Sequence, residues 1–470
     1  MSRSKRKILI FSTIILLSGC LSADKANLPR WTSPPVLEPF KQDERILILA
    51  PHPDDEAIAC AGVIQQALKA GAKVKIVYLT NGDHNELGFI VYEKRITVRQ
   101  SEFVYMGQLR QQESIKAMKF LGLTEDDLVF LGYPDYGTFT IFSQYWQTSK
   151  PFRDRLTRIS SVPYKDNPSY GAPYQGESIL NDLSRQLLDY QPDKIFVSHP
   201  ADVNVDHKAL YLFLQVALSD LEGRIRTPKV YPYLVHCLGW PKPRHYHPEL
   251  ELYPPDKFIG SQISWQRLNL NFQELDKKHQ SILYYKSQTA SSAFYLLAFA
   301  RENELFGNYP VLELNPQPTL RDRAISYFGF SKMFGQSEDL AVFKQDEMIE
   351  DKGQVSYAQT DDYFIVRVDK PKKLSRRFGV MLYIFGYSQD TFFAAMPKIK
   401  IITIGNKFKV FNAKKRIVDP QVILDLNGNS LILKVALQLL NHPDYVLTAL
   451  KAYHGNLPID GVGFRKVKIK

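Results

Sequence analysis

One imidazole and two adjacent carboxylates, His52, Asp54 and Asp55, stand in the stretch PHPDDE, residues 51–56, and these residue types suit a hard-to-borderline metal centre. Neighbouring Asp54 and Asp55 cannot project the same way, so one can join His52 on a cation while the other takes a proton from an attacking water. Capping of a following helix would account for the acids. It does not account for an imidazole between Pro51 and Pro53. A second polar knot, His199 to His207 (HPADVNVDH), brings further imidazoles and carboxylates. Two imidazoles with one carboxylate leave a fourth zinc position open to water.

Elements of one kind must carry both knots. Ile46 to Ala50 is an apolar run of the type a buried parallel strand shows, and Ile58, Ala61, Ile64, Ala67 and Leu68 follow at helical spacing. Lys194 to Ser198 repeats the short strand, and Ala209 to Leu218 the apolar helix. Each knot therefore sits where a strand opens into a helix, at the carboxyl edge of a sheet, where ligands bind in α/β folds. Lys73 to Thr80 reads as another strand with Asn81, Gly82 and Asp83 as its exit, and Leu128 to Leu131 as a third, ending near Asp135. A helix is expected to open at Arg110 and Glu113 and run to Gly122, another over Glu177 to Tyr190, and another over Gln273 to Tyr285. Lys229 to Leu238 (KVYPYLVHCL) comes after the Ala209 helix. Between them, His84 to Gln108 reads as a long loop with helical pieces. The aromatic-rich stretch from Tyr136 to Gly176 reads either as a sugar-stacking insertion or as a satellite hydrophobic cluster.

APHPDDE, TNGD (Thr80 to Asp83), RQQE (Arg110 to Glu113), LGYPD (Leu131 to Asp135) and HPADVNVDH, taken together, resemble the PIG-L or LmbE-like zinc-dependent de-N-acetylases over roughly residues 44–307. The resemblance implies an α/β fold with a Rossmann-like, mostly parallel sheet. It also implies hydrolysis of an N-acetylglucosamine-type amide, with release of acetate. It implies one Zn²⁺ ion held by His52, Asp55 and His207, with Asp54 as general base. It suggests that Arg110 reaches a sugar hydroxyl and that His236, in a strand close to the active edge, acts as general acid or oxyanion partner. Asp135, at the same sheet edge, is a further candidate substrate acceptor, with a turn role as its alternative. Asn204 stands three residues before His207, where some members carry a histidine; an amide there donates a hydrogen bond but no proton. Two other readings are a glycan-binding protein with an inactive metal site and a hydrolase of a non-sugar amide.

The chain opens with Arg3, Lys5, Arg6 and Lys7, then an apolar run from Ile8 to Leu17, then Ser18, Gly19 and Cys20. This reads as a secretory signal, too short to span a bilayer, and Leu17 to Cys20 resembles a bacterial lipobox. The expectation is an exported lipoprotein with a signal peptide over 1–19, anchored to an envelope membrane by lipid on Cys20 and tethered by a Pro-punctuated linker over 20–43. Loss of residues 1–19 removes four cations and no anions, so the net charge of +11 falls to +7. No nucleic-acid motif accompanies the scattered lysines. Cys60 falls on the apolar face of the first helix and is expected as a buried free thiol. With 470 residues, two domains are expected, over 44–307 and 308–470. Strand-like runs at Ala341 to Phe343, Tyr363 to Val368, Val380 to Phe385, Lys398 to Ile404, Val422 to Leu426 and Ser430 to Ala436 indicate an all-β sandwich in the second, with a structural or a carbohydrate-binding role.

Overall fold

The first sheet grows from Arg45–Ala50 (β1), whose alternate side chains Ile46 and Ile48 enter one core while Leu47 and Leu49 enter another. Burial on both faces is what a continuous apolar run in a parallel sheet requires. The structure, a computed structural model, describes residues 32–94, 99–147, 150–259, 261–314, 344–349, 353–418, 420–455 and 457–469. Cys20 and the strand expected at residues 341–343 lie outside these. After β1 come α1 (Asp55–Lys69), β2 (Lys73–Thr80), α2 (Glu86–Glu93), α3 (Gln100–Leu121), β3 (Leu128–Tyr133), α4 (Thr138–Gln144), α5 (Gly176–Tyr190) and β4 (Lys194–Ser198). Then follow α6 (Val205–Asp220), β5 (Lys229–Tyr233), β6 (Ser264–Asn269), α7 (Phe272–Leu283), α8 (Lys286–Leu296) and β7 (Asn303–Asn308).

Strand order is β3-β2-β1-β4-β5-β7-β6, parallel from β3 to β5 and antiparallel beyond. The order reverses between β1 and β4, so a crevice opens outside their carboxyl ends. Register pairs Leu49 with Val197, which brings the two polar knots out of the sheet side by side.

The C-terminal domain is a sandwich of two antiparallel β-sheets, with one short parallel pairing of Leu312–Glu313 on the last strand. Strands 353–359, 363–369, 422–427 and 430–436 belong to one sheet, and 378–387, 398–404 and 445–454 to the other. Val355, Phe364, Val366 and Leu433 from the first meet Val380, Leu382, Ile384 and Ile401 from the second in one apolar core. The opposite face of the second sheet packs on the first domain: the Phe142 and Phe385 rings lie 5.3 Å apart, Trp146 and Phe393 5.1 Å. Gly463 touches Ala201 so closely that a Cβ would sit 2.8 Å from its Cα.

Three expectations change. The helix carrying Arg110 begins ten residues earlier, at Gln100, because Glu102 accepts the Arg99 backbone N–H and starts it there. The strand containing His236 stops at Tyr233; Asp202 Oδ2 accepts the N–H groups of Val235 (3.1 Å) and His236 (2.8 Å), which draws the chain off the ladder. Of the aromatics between 136 and 176, Phe142, Trp146, Tyr164 and Tyr174 are buried in the core shared with the sandwich, which favours the hydrophobic-cluster alternative over the sugar-stacking one, while Tyr136 and Tyr170 are exposed. Among the described residues, no helix is long and apolar enough to cross a membrane.

Candidate active site

The PHPDDE turn joins β1 to α1, and its three acids do three different things. Asp55 and Glu56 are the first residues of α1, where carboxylates oppose the positive end of the helix. Asp54, just before them, adopts φ 130° and ψ −29°, a conformation costly for a residue with a Cβ, on the order of 1–3 kcal/mol. That backbone sends Asp54 and Asp55 in different directions. Glu56 is fully buried and accepts from Tyr78 (2.9 Å), Ser114 (2.7 Å), Tyr285 and the Asp54 backbone N–H (3.0 Å). It anchors the turn.

Asp55 Oδ2 lies 3.2 Å from His52 Nδ1 and 3.2 Å from His207 Nε2. Burial works to raise its carboxyl, but the two imidazoles outweigh burial and hold it well below the usual carboxylate range. His207, at the start of α6, is pushed up to about 9: burial opposes its charge, and Asp202 and Asp55 more than offset that. Asp202 Oδ2 stands 3.1 Å from His207 Nδ1, the position from which a carboxylate fixes a ligand imidazole. His52 is held in the same manner: its Nε2 is 3.1 Å from Asp135 Oδ1 and 3.4 Å from Asp206 Oδ2. Asp206 in turn accepts from the backbone of Tyr136 (2.6 Å) and Thr138 (3.2 Å) and from the Thr138 hydroxyl.

These residues fit a divalent cation. The ligand atoms of His52, Asp55 and His207 lie within 4.8 Å of one another, as do those of His52, Asp135 and Asp206. Separations of 3.2 Å around Asp55 Oδ2 approach the ~3.3 Å edge of a tetrahedron with metal–ligand bonds of ~2.0–2.1 Å. Neither ring nitrogen of the fully buried His207 makes an aligned hydrogen bond within the protein. The first trio also holds the two imidazoles that borderline metals favour.

Beside the trio, burial pushes the Asp54 carboxyl up to about 7, against the pull of the Arg110 guanidinium. That places a proton acceptor near neutrality next to the cation site, with its side chain still 13% exposed. Arg110 does not reach outward as expected. It is buried, donating from Nη2 to Asp54 Oδ2 (3.1 Å) and the Pro53 carbonyl (2.7 Å), and from Nη1 to the Gly82 carbonyl (3.0 Å). A Cβ at residue 82 would lie 2.0 Å from that guanidinium, so this exit turn needs glycine. Asp135, expected to meet substrate, is likewise buried; it holds His52 and accepts the His84 N–H. Asn204 caps α6 through its side-chain oxygen, 2.8 Å from the Asp206 N–H. His236 sits with its ring 4.7 Å from that of His207, and Tyr295 Oη lies 3.4 Å from its Nδ1; burial pulls its pKa down. His199 is not part of the cluster: its ring is buried and stacked on Trp265. Cys60 is buried and free.

Sequence reasoning assigned no role to Glu56, Asp202 or Asp206. The last two lie inside the quoted HPADVNVDH stretch, so the signal for them was its density of acids.

Residues 47–218, which contain both knots, match the family model described as PIG-L: GlcNAc-PI de-N-acetylase. The chain carries a PIG-L family domain. Among solved structures, N,N'-diacetylchitobiose deacetylase from Pyrococcus horikoshii is similar at 17% identity over 52% of this chain and 70% of that one, with a TM-score of 0.33. A deacetylase of the teicoplanin biosynthesis pathway is similar at 15% identity over 54% of this chain and 90% of its own, TM-score 0.34. The 4-carboxy-2-hydroxymuconate hydratase of Pseudomonas putida aligns at 15% identity over 58% of this chain and all of its own, TM-score 0.33. No curated protein matches the chain. The PIG-L match supports de-N-acetylation in general, and the candidate ligands, the carboxylates that orient them and the proton acceptor all fall within it, whereas His236 lies outside.

Proposed function

We propose that the protein is a metal-dependent N-deacetylase acting on an N-acetylglucosamine-type sugar of an envelope or extracellular glycan. The observation that carries this reading is the buried trio His52, Asp55 and His207 at 3.2 Å spacing with Asp54 beside it, inside a PIG-L domain. Zinc or a similar divalent ion held there would polarise the acetamide carbonyl and acidify the attacking water. Asp54 takes the water's proton on the carboxylate oxygen that Arg110 does not hold as the new C–O bond forms. Arg110 keeps that carboxylate aimed, and the strained backbone keeps it apart from Asp55. When the C–N bond breaks, Asp54 or His236 returns a proton to the departing amine, leaving acetate and a free amino sugar. His236 and Asn204 are the candidates for contact with the developing oxyanion.

The amino-terminal pattern Arg3 to Cys20 supports export and a lipid anchor on Cys20, which would place the enzyme at a bacterial cell envelope with its glycan outside the cytoplasm. Mass measurement of the membrane-extracted protein should show a diacylglyceryl adduct that Cys20→Ala lacks; an unmodified Cys20 overturns the anchor.

The deciding assay is acetate release from N-acetylated chito-oligosaccharides by the zinc-loaded full chain, with simple acylated amines alongside. Release from the sugars supports the reading. Release from the simple amides alone makes it a non-sugar amidase, and sugar binding without release makes the site inactive.

A further inference from the structure

A second polar concavity lies where the two domains meet. It encloses about 740 Å³, within the ~300–1,000 Å³ of sites that hold small molecules. Lys208 enters it from the first turn of α6, directly after His207, and Lys242 and Lys257 come from the long connection between β5 and β6. Lys451 arrives from the sandwich. Four cations from three separate stretches of chain thus face one cleft. The acids on its wall only partly offset them: Glu251 is engaged by Arg267 at 2.8 Å, which leaves Asp256 against four lysines. Like charges gathered in a groove raise the local concentration of an anion.

The rest of the wall suits a sugar. Leu238 (89% exposed) and Tyr253 (39% exposed) present apolar surface on the wall, backed by the buried Trp240 and Pro241. Apolar surface edged by lysines matches a pyranose face carrying an acidic substituent. Chain neighbours of the site also line the cleft. Val203 lines it between Asp202 and Asn204, its N–H donates to the His236 carbonyl (3.0 Å), and Cys237 lines it directly after His236.

We propose that this interdomain cleft is a subsite for an anionic stretch of the substrate glycan, so that the enzyme prefers N-acetylglucosamine units flanked by carboxylate- or phosphate-bearing residues. The glycan's place as substrate rests on the function proposed above; the binding preference can be measured without turnover.

Isothermal titration of the full, zinc-loaded chain with a hyaluronan hexasaccharide, an N-acetylglucosamine 1-phosphate oligomer and neutral chitohexaose provides the test. The charged probes should bind about 10-fold or more tightly than the neutral one at low salt, and raising salt from about 0.05 to 0.5 M should erase most of that gain. The better of the two charged probes identifies carboxylate or phosphate as the acid. In Lys242→Gln/Lys451→Gln the preference should collapse towards parity, and Lys257→Glu should weaken charged-probe binding further. Lys242, Lys257 and Lys451 are all exposed, so thermal midpoints should match the wild type. Equal affinity for charged and neutral probes, or a preference unchanged in both variants, overturns the subsite. Acetate release from chitohexaose with no charge preference would leave the deacetylase standing and remove only this inference. A charge preference without acetate release would do the reverse.

Discussion

The carboxyl ends of β1 and β4 and the interior of the sandwich are both buried, yet they are filled in opposite ways. At the strand ends, His52, Asp54, Asp55, Glu56, Asp135, Asp202, Asp206 and His207 are each no more than 9% exposed. Between the sandwich sheets the corresponding places hold Val355, Phe364, Val366, Val380, Leu382 and Leu433. Burying a charge is costly unless it is paired or bound, whereas burying a leucine favours folding. A structure that concentrates buried carboxylates and imidazoles at one point therefore accepts lower stability there in exchange for chemistry. The sandwich shows what the same chain does where stability alone is served.

That contrast can be broken at the strand ends first. Asp54→Asn should lower acetate release by about 10²–10⁴-fold, the scale of a lost general base, while the melting temperature stays near that of the wild type. Activity within a factor of two would remove Asp54 from the mechanism. In the sandwich the pattern should invert: Leu433→Ala should cost about 2–5 kcal/mol by denaturant unfolding, with turnover retained below the transition. Zinc should stabilise through the strand ends alone. Saturation at ~100 times its dissociation constant is worth about 2.7 kcal/mol, a gain that chelation or His207→Ala should abolish and Leu433→Ala should leave intact.

A buried charge in the sandwich sharpens the comparison from the other side. Lys398, in the 398–404 strand, is buried against Trp146 and Phe393, donating to the Phe393 (2.5 Å) and Met396 (2.7 Å) carbonyls. Burial pulls its pKa down to about 7 from an ordinary 10.5. Between those two values the unfolded chain holds a proton that the folded one lacks, so stability should rise as pH goes from about 7 to about 10.5. The contribution is complete above the upper value and lost as pH falls to the lower. Lys398→Met should flatten that rise in unfolding experiments across the range; an unchanged slope would assign it to other groups.

Much of the frame was legible along the chain. Strands 45–50, 73–80 and 194–198 fall where continuous apolar runs end in polar residues, and 398–404 and 430–436 where β-rich runs are bounded by turn residues. Strands 445–454 and 457–468 were not legible. The first, YVLTALKAYH, mixes alanine and leucine with β-formers, and the second contains Pro458, Gly461 and Gly463. Their pairing with each other supplies what local preference does not. The helix start at Gln100 was missed because residues 84–108 lack a periodic apolar face.

The amino-acid order alone determined that imidazole and carboxylate would cluster at two strand exits, because apolar period and turn chemistry are properties of a few neighbouring residues. It could not determine which way each side chain points. That Arg110 turns inward to hold Asp54, that Asp135 and Asp206 grip His52, and that Asp202 grips His207 depend on partners up to 154 positions apart. Only the folded backbone, with β1 laid against β4 and Asp54 forced to positive φ, brings those partners within hydrogen-bonding reach.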